Sequence, residues 1–185
     1  MRKVVFDVDD ILWPCTKKVY RKAGADYLLA VTYDTNMNPF LSERQKSDII
    51  NIYRDEDTFK DIVWYSAAYE LMSLESYNWA VYVNSHAFSE RVKEIKTEQL
   101  IYALGIPEER IHIDVVGGFD GKKITSDTDV FVDDSPYNLF SSNAAQNFTI
   151  SMPFNISNEG LRLLANKNVQ YFPSLASIIE RLKEV

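Results

Sequence analysis

Close to its start, after Met1-Arg2-Lys3, the chain runs Val4-Val5-Phe6 and breaks at once into Asp7-Val8-Asp9-Asp10. An apolar run that ends so abruptly is how a strand buried on both faces emerges at its carboxyl end. Similar runs recur at Trp79 to Val83, Ile111 to Val115, Val130 to Val132, Phe148 to Ile150 and Val169 to Phe172. Segments with helical spacing lie between them. Ser89 to Leu104 starts on a capping serine, sets Val92 and Ile95 on one face, and stops at Gly105. A last helix starts at Ser174, with Leu175, Ile178, Ile179 and Leu182 at core spacing. Strands alternating with helices predict an α/β fold, a Rossmann-like, mainly parallel sheet with helices on both faces.

Residues 16–75 interrupt the alternation. They offer no clear strand and read as two or three helices, over 16–31, 43–53 and 58–75. The expected organisation is therefore a core of residues 1–15 and 76–185, with 16–75 as a small helical cap inserted after the first strand. The insertion carries much of the aromatic content, including Tyr20, Tyr33, Phe40, Tyr53, Phe59 and Trp64.

Composition narrows the function classes. With 27 acidic and 20 basic side chains, the net charge of −7 argues against a nucleic-acid polymer as partner, since phosphate backbones are gripped by clustered Lys and Arg. A hydrophobic fraction of 46% in 185 residues is enough for one domain to bury a core. The lone Cys15 allows no internal disulfide, and no apolar run approaches the roughly 18 residues of a membrane span. Three apolar residues before Asp7 are too few for a signal peptide, so the expectation is a cytoplasmic protein, off the membrane, as a monomer or homodimer.

Acids gather where the buried runs end: Asp7, Asp9 and Asp10 after the first, Asp133 and Asp134 after Val130-Phe131-Val132. In a parallel sheet such ends share one face, and ligands bind in the crevice outside it. Carboxylates converging there repel one another unless a cation sits between them, and an all-oxygen site suits magnesium with a substrate phosphate.

Four motifs in order resemble the haloacid dehalogenase-like (HAD) superfamily of aspartate-nucleophile phosphohydrolases. They are Asp7-Val8-Asp9-Asp10-Ile11, Ser85 after Val81-Tyr82-Val83-Asn84, a lysine at Lys123 or its neighbour Lys122, and the pair Asp133-Asp134. The resemblance implies that Asp7 is the nucleophile, Asp9 the general acid and base, Ser85 a phosphoryl-oxygen ligand and Lys123 the neutralising cation. It implies Mg²⁺ held by Asp7, the Asp9 carbonyl and Asp134, with Asp133 acting partly through water. Asp9 argues against dehalogenation, which has no leaving alcohol to protonate.

Within the superfamily the flanking text looks most like the 5′(3′)-deoxyribonucleotidases and their bacterial 5′-nucleotidase relatives. The lysine lies ten residues before the first acid of the pair, and Met152-Pro153-Phe154-Asn155 follows the next strand. The implied substrate is a small phosphorylated metabolite, a nucleoside monophosphate first, contacted by Asn84, Ser85, His86, Trp13 and Phe40. A sugar phosphate, or a phosphate-binding regulatory role without turnover, are the alternatives. Lys17, Lys18, Arg21 and Lys22 share one helical face, read as a solvated surface before an anion-attracting one.

Overall fold

The computed structural model describes residues 1–116 and 122–185. Six strands, β1 (Arg2–Phe6), β2 (Trp79–Ala87), β3 (Ile111–Val115), β4 (Val130–Val132), β5 (Gln146–Ile150) and β6 (Val169–Phe172), form one sheet in the order β3-β2-β1-β4-β5-β6. Every pairing is parallel. The order reverses direction between β1 and β4, and the crevice beyond their carboxyl ends is where such sheets bind ligands.

Alternation along the central strands makes two cores. Val4, Phe6, Val130 and Val132 point into the larger one, with Val81 and Val83, and Val5 and Phe131 point into a smaller one with Leu139 and Leu164. Both faces of Val4–Phe6 and of β4 are thus dry, which is why these runs carry no polar residue until they end. The helices covering the sheet are α4 (Glu90–Leu104), α5 (Pro136–Ser141), α6 (Asn158–Leu164) and α7 (Leu175–Glu184). Serines cap α4 and α7 as expected: Ser89 accepts from the Val92 N–H and Ser174 from the Ser177 N–H, and Gly105 closes α4 at φ +69°.

The segment between β1 and β2 is more broken than its spacing predicts. Helix α1 (Cys15–Lys22) ends at Gly24, φ +66°, where the Ala25 N–H turns back to the Tyr20 carbonyl, so a helix over 16–31 does not form. Helix α2 (Glu43–Arg54) matches the expected second helix and starts on a capping box of Ser42 and Gln45. The expected third helix splits into α3 (Asp57–Lys60) and a 3₁₀ segment, Ser66–Tyr77. Ser73 and Ser76 donate to the carbonyls three residues back, Glu70 and Ser73, which favours the tighter winding. This 3₁₀ segment packs against β2, α4 and α7, beside the sheet. Among the described residues no helix is long and apolar enough to cross a membrane.

Candidate active site

Strand register brings the acids together. Phe6 pairs with Val132, the Asp7 N–H donates to the Val132 carbonyl at 2.8 Å, and the Asp133 N–H donates to the Phe148 carbonyl at 3.2 Å. Asp7 and Asp133 therefore leave the sheet side by side. Carboxylate oxygens of Asp7, Asp133 and Asp134 all lie within 4.8 Å of one another, and all three residues are buried.

Lys122 sits between two of them, its Nζ 2.6 Å from Asp7 Oδ1 and 2.7 Å from Asp133 Oδ2. The lysine at the site is thus Lys122, correcting the choice of Lys123, which is exposed. The reason is local: Lys122 and Ile124 turn inward, and the Lys122 N–H is anchored on Asn138 Oδ1 at 3.1 Å. Burial opposes the charge on Lys122, but Asp133 and Asp7 outweigh it and hold the ammonium above the usual lysine range. Burial likewise opposes ionisation of Asp7, yet Lys122, Lys96 and the Val8 N–H keep its carboxyl below the ordinary value of 3.8. Both of those contacts from Lys122 and Val8 fall on Oδ1. Oδ2 makes no hydrogen bond among the described residues.

Asp133 and Asp134 divide the remaining work. Asp133 accepts from Lys122, from the Ser135 N–H at 2.8 Å and from Asn138 Nδ2 at 3.1 and 3.2 Å. Burial and Asp7 nevertheless raise its pKa to about 6. Asp134 accepts no side-chain hydrogen bond among the described residues, and burial with Asp133, Asp10 and Asp7 nearby pushes its carboxyl well up. A buried carboxylate without a donor, beside two more, fits a hard cation with oxygen ligands such as Mg²⁺. Asn155 fixes the Asp134 backbone: its Nδ2 donates to the Asp134, Ile150 and Thr149 oxygens at 3.1, 2.9 and 3.1 Å. The Met152–Asn155 segment thus acquires a structural task.

Asp9 reaches the same cavity, with Trp13 Nε1 donating to its Oδ1 at 2.9 Å and Lys96 Nζ 2.6 Å from its Oδ2. Asp10 adopts φ +61°, a conformation Asp tolerates better than most residues, and its side chain accepts from the Thr16 N–H at 2.9 Å and from Thr16 Oγ1. That contact ties the acidic turn to the start of α1. Burial raises the Asp10 pKa to about 7, with Asp9 and Asp7 adding to the rise and Thr16 opposing it.

One cavity is lined by Asp7, Asp9, Asp10, Ser85, His86, Lys96, Lys122 and Asp134, and on its outer side by Tyr20, Tyr33, Tyr53, Phe59, Phe88 and Phe154. Burial raises the pKa of Tyr20, Tyr33 and Tyr53, so all three present neutral hydroxyls. His86 is held neutral as well, its pKa lowered by burial and by Lys122. Three expected contacts lie elsewhere. Phe40 is 62% exposed and outside the lining, because its loop faces solvent. Trp13 is buried behind Asp9 and stacked edge-on against Phe59, a support for the acid in place of a substrate contact. Asn84 lies off the lining, on the side of β2 opposite Ser85, with its Oδ1 buried and unpartnered among the described residues. Lys18 and Lys22 of the basic face brace α1 on the 58–61 segment through Thr58 and Asp61.

Lys96 escapes the motif reading altogether. Its signal is a charged residue inside an apolar stripe: Val92, Lys96 and Leu100 recur every four positions on α4, and all three are buried.

No protein-family profile and no curated protein sequence matches the chain. Solved structures do. A haloacid dehalogenase-like family hydrolase from Xanthomonas campestris superposes with a TM-score of 0.52 at 16% identity, over all of this chain and 96% of that one. L-2-haloacid dehalogenase from Xanthobacter autotrophicus gives 0.51 at 10% identity, over 99% and 98%. DsGPDH of Dunaliella salina gives 0.52 at 13%, over 97% of this chain and 35% of that one. The six-stranded parallel sheet with its surrounding helices is the fold of HAD-like hydrolases.

Proposed function

We propose that the chain is a magnesium-dependent phosphomonoesterase working through a phosphoaspartate on Asp7. The observation that carries this reading is the pairing of an Asp7 held ionised by Lys122, one oxygen unencumbered, with a second acid, Asp9, in the same cavity. Asp7 Oδ2 attacks phosphorus, the bond from phosphorus to the leaving oxygen breaks, and Asp9 gives that oxygen its proton. Asp9 then takes a proton from the water that attacks the phosphoaspartate, releasing phosphate and restoring Asp7. Ser85 holds a phosphoryl oxygen, and Lys122 balances the charge on Asp7 and the phosphoryl group. Asp7, Asp134 and the Asp9 carbonyl would hold Mg²⁺, with Asp133 steadying Lys122. Bound Mg²⁺ supplies positive charge opposite the phosphoryl oxygens.

Within the insertion 16–75, residues 16–65 act as the cap, and Tyr20, Tyr33, Tyr53 and Phe59 close the cavity from that side, whereas Ser66–Tyr77 packs beside the sheet. Among the described residues the cavity's only ammonium groups, Lys96 and Lys122, are both ion-paired, and residues 117–121 contain no Lys or Arg. A leaving group bearing a second anion therefore finds no partner there. Neutral hydroxyls and aromatic faces suit an uncharged, planar one, which favours nucleoside monophosphates over bisphosphates and phosphorylated acids. The lone buried Cys15 agrees with a cytoplasmic setting.

The test is phosphate release from nucleoside monophosphates, sugar monophosphates and bisphosphates, with Mg²⁺ or EDTA, for wild type and Asp7→Asn. Magnesium-dependent release lost in Asp7→Asn supports the chemistry, and a preference for sugar phosphates overturns the nucleotide reading alone. Halide release from 2-haloacids without phosphate release would instead favour a dehalogenase, whose fold this chain shares.

A further inference from the structure

Lys96 is almost fully buried, at 1% exposure, far from any chain end, and a buried ammonium is costly to desolvate unless its partners are well placed. Among the described residues its hydrogen-bond acceptors are two: Asp9 Oδ2 at 2.6 Å and the His86 carbonyl at 2.8 Å. Phe59 covers it, ring centroid 4.9 Å from Nζ, and packs edge-on against Trp13. Trp13 in turn donates to the other Asp9 oxygen. A lysine placed only to fill space in α4 would be replaced there at lower cost by an apolar residue such as its stripe neighbours Val92 and Leu100.

We propose that Lys96, with Trp13, is the positioning device for Asp9, fixing its carboxyl toward the leaving oxygen of the substrate. The proposal rests on the phosphomonoesterase reading. Two donors on two different oxygens define both the reach and the plane of the carboxyl group. Asp9 is the more accessible partner of the pair, 26% exposed against 1% for Lys96, so of the two it is the carboxyl that a substrate reaches. Lys96 also joins three pieces of the site that are distant in sequence: the acidic turn after β1, the end of β2 at His86, and Phe59 from the inserted segment. Misplacement of a proton donor matters in proportion to how much the leaving group needs the proton. An alkoxide needs it and a nitrophenolate hardly does.

The experiment is therefore a split between leaving groups, read as kcat/KM so that it covers cleavage of the phosphorus–oxygen bond. Lys96→Met should lose on the order of 100-fold more on an alkyl or nucleoside monophosphate than on p-nitrophenyl phosphate, the lower end of what a general acid contributes, while its lost support for the ionised Asp7 falls on both substrates alike. Asp9→Asn should show the same split. Lys96→Arg, which keeps a cation and its donors, should recover part of the alkyl activity. Trp13→Phe should give a smaller split in a variant whose buried charges stay paired, which covers the case of a Lys96→Met that folds poorly. Equal loss on both substrates, or a Trp13→Phe and Lys96→Met without a split, overturns the role. Absence of phosphatase activity in the wild type would instead sink the underlying reading.

Discussion

Replacing Lys122 by Met removes the cation from between Asp7 and Asp133 and leaves both carboxyl groups buried. Lys122 Nζ is 2.6 and 2.7 Å from their oxygens, and both side chains are nine-tenths buried or more. Breaking a buried ion pair from one side costs about 3–5 kcal/mol, because the charge left behind keeps its desolvation penalty. The sign with pH follows from the same groups. In the native protein Lys122 keeps Asp7 below 3.8; without it, burial dominates, and both acids hold protons in the folded state that they release when unfolded at the same pH. Stability of the variant then falls as pH rises from about 4 toward neutrality. The lysine's own contribution is undiminished there, since its raised pKa keeps it charged through pH 8. Urea denaturation in EDTA should show a penalty of about 3–5 kcal/mol at pH 8 that shrinks at pH 4.5, and added Mg²⁺ should restore part of it. A penalty below about 1 kcal/mol at both pH values would refute the role of Lys122 as counter-ion.

Asp10→Asn should stabilise the metal-free protein at pH 8 and change little at pH 4.5. The rise of the Asp10 pKa from 3.8 to about 7 corresponds to about 4 kcal/mol lost between those values, a ceiling for the gain that denaturation at both pH values would measure. Asp134→Asn should abolish magnesium-dependent thermal stabilisation, read as the shift in Tm with added Mg²⁺; an unchanged shift would move the cation elsewhere. Gly160→Ala should cost about 1–3 kcal/mol in denaturant, because its Cβ would come within 2.6 Å of the Asn155 carbonyl and 2.7 Å of that of Phe154, both backbone. Asn155→Ala should lower magnesium affinity by loosening the Asp134 backbone, checked by titration of the metal-dependent Tm.

The sheet and the acids were legible because they obey short-range rules. Buried parallel strands read as unbroken apolar runs, and Asp7, Asp133 and Asp134 stand one or two residues past such runs. Capping serines at 89 and 174 marked helix starts for the same reason. What sequence left open depends on which way a side chain turns in a loop. Lys122 and Lys123 are identical in type and adjacent, and only the packing of Ile124 and the Asn138 anchor decide between them. The 3₁₀ winding of Ser66–Tyr77 is chosen by local hydroxyl contacts that leave the apolar spacing ambiguous. Trp13, close to the nucleophile, and Phe40, in the loop after Pro39, are both aromatic, but one supports Asp9 and the other faces solvent. Lys96 is 87 residues from Asp9 in the chain, and only the packing of α4 against the strand ends brings them together.

The central claim is covalent chemistry at Asp7, and mass spectrometry of rapidly quenched reactions addresses it most directly. Wild-type protein and Asp9→Asn, mixed with p-nitrophenyl phosphate and Mg²⁺, should each yield protein heavier by one phosphoryl group, mapped to the peptide containing Asp7 and labile to base. The modified fraction should be larger in Asp9→Asn, which lacks the base for hydrolysis. Turnover with no phosphoryl adduct in either protein, or an adduct mapped to a residue other than Asp7, would contradict it.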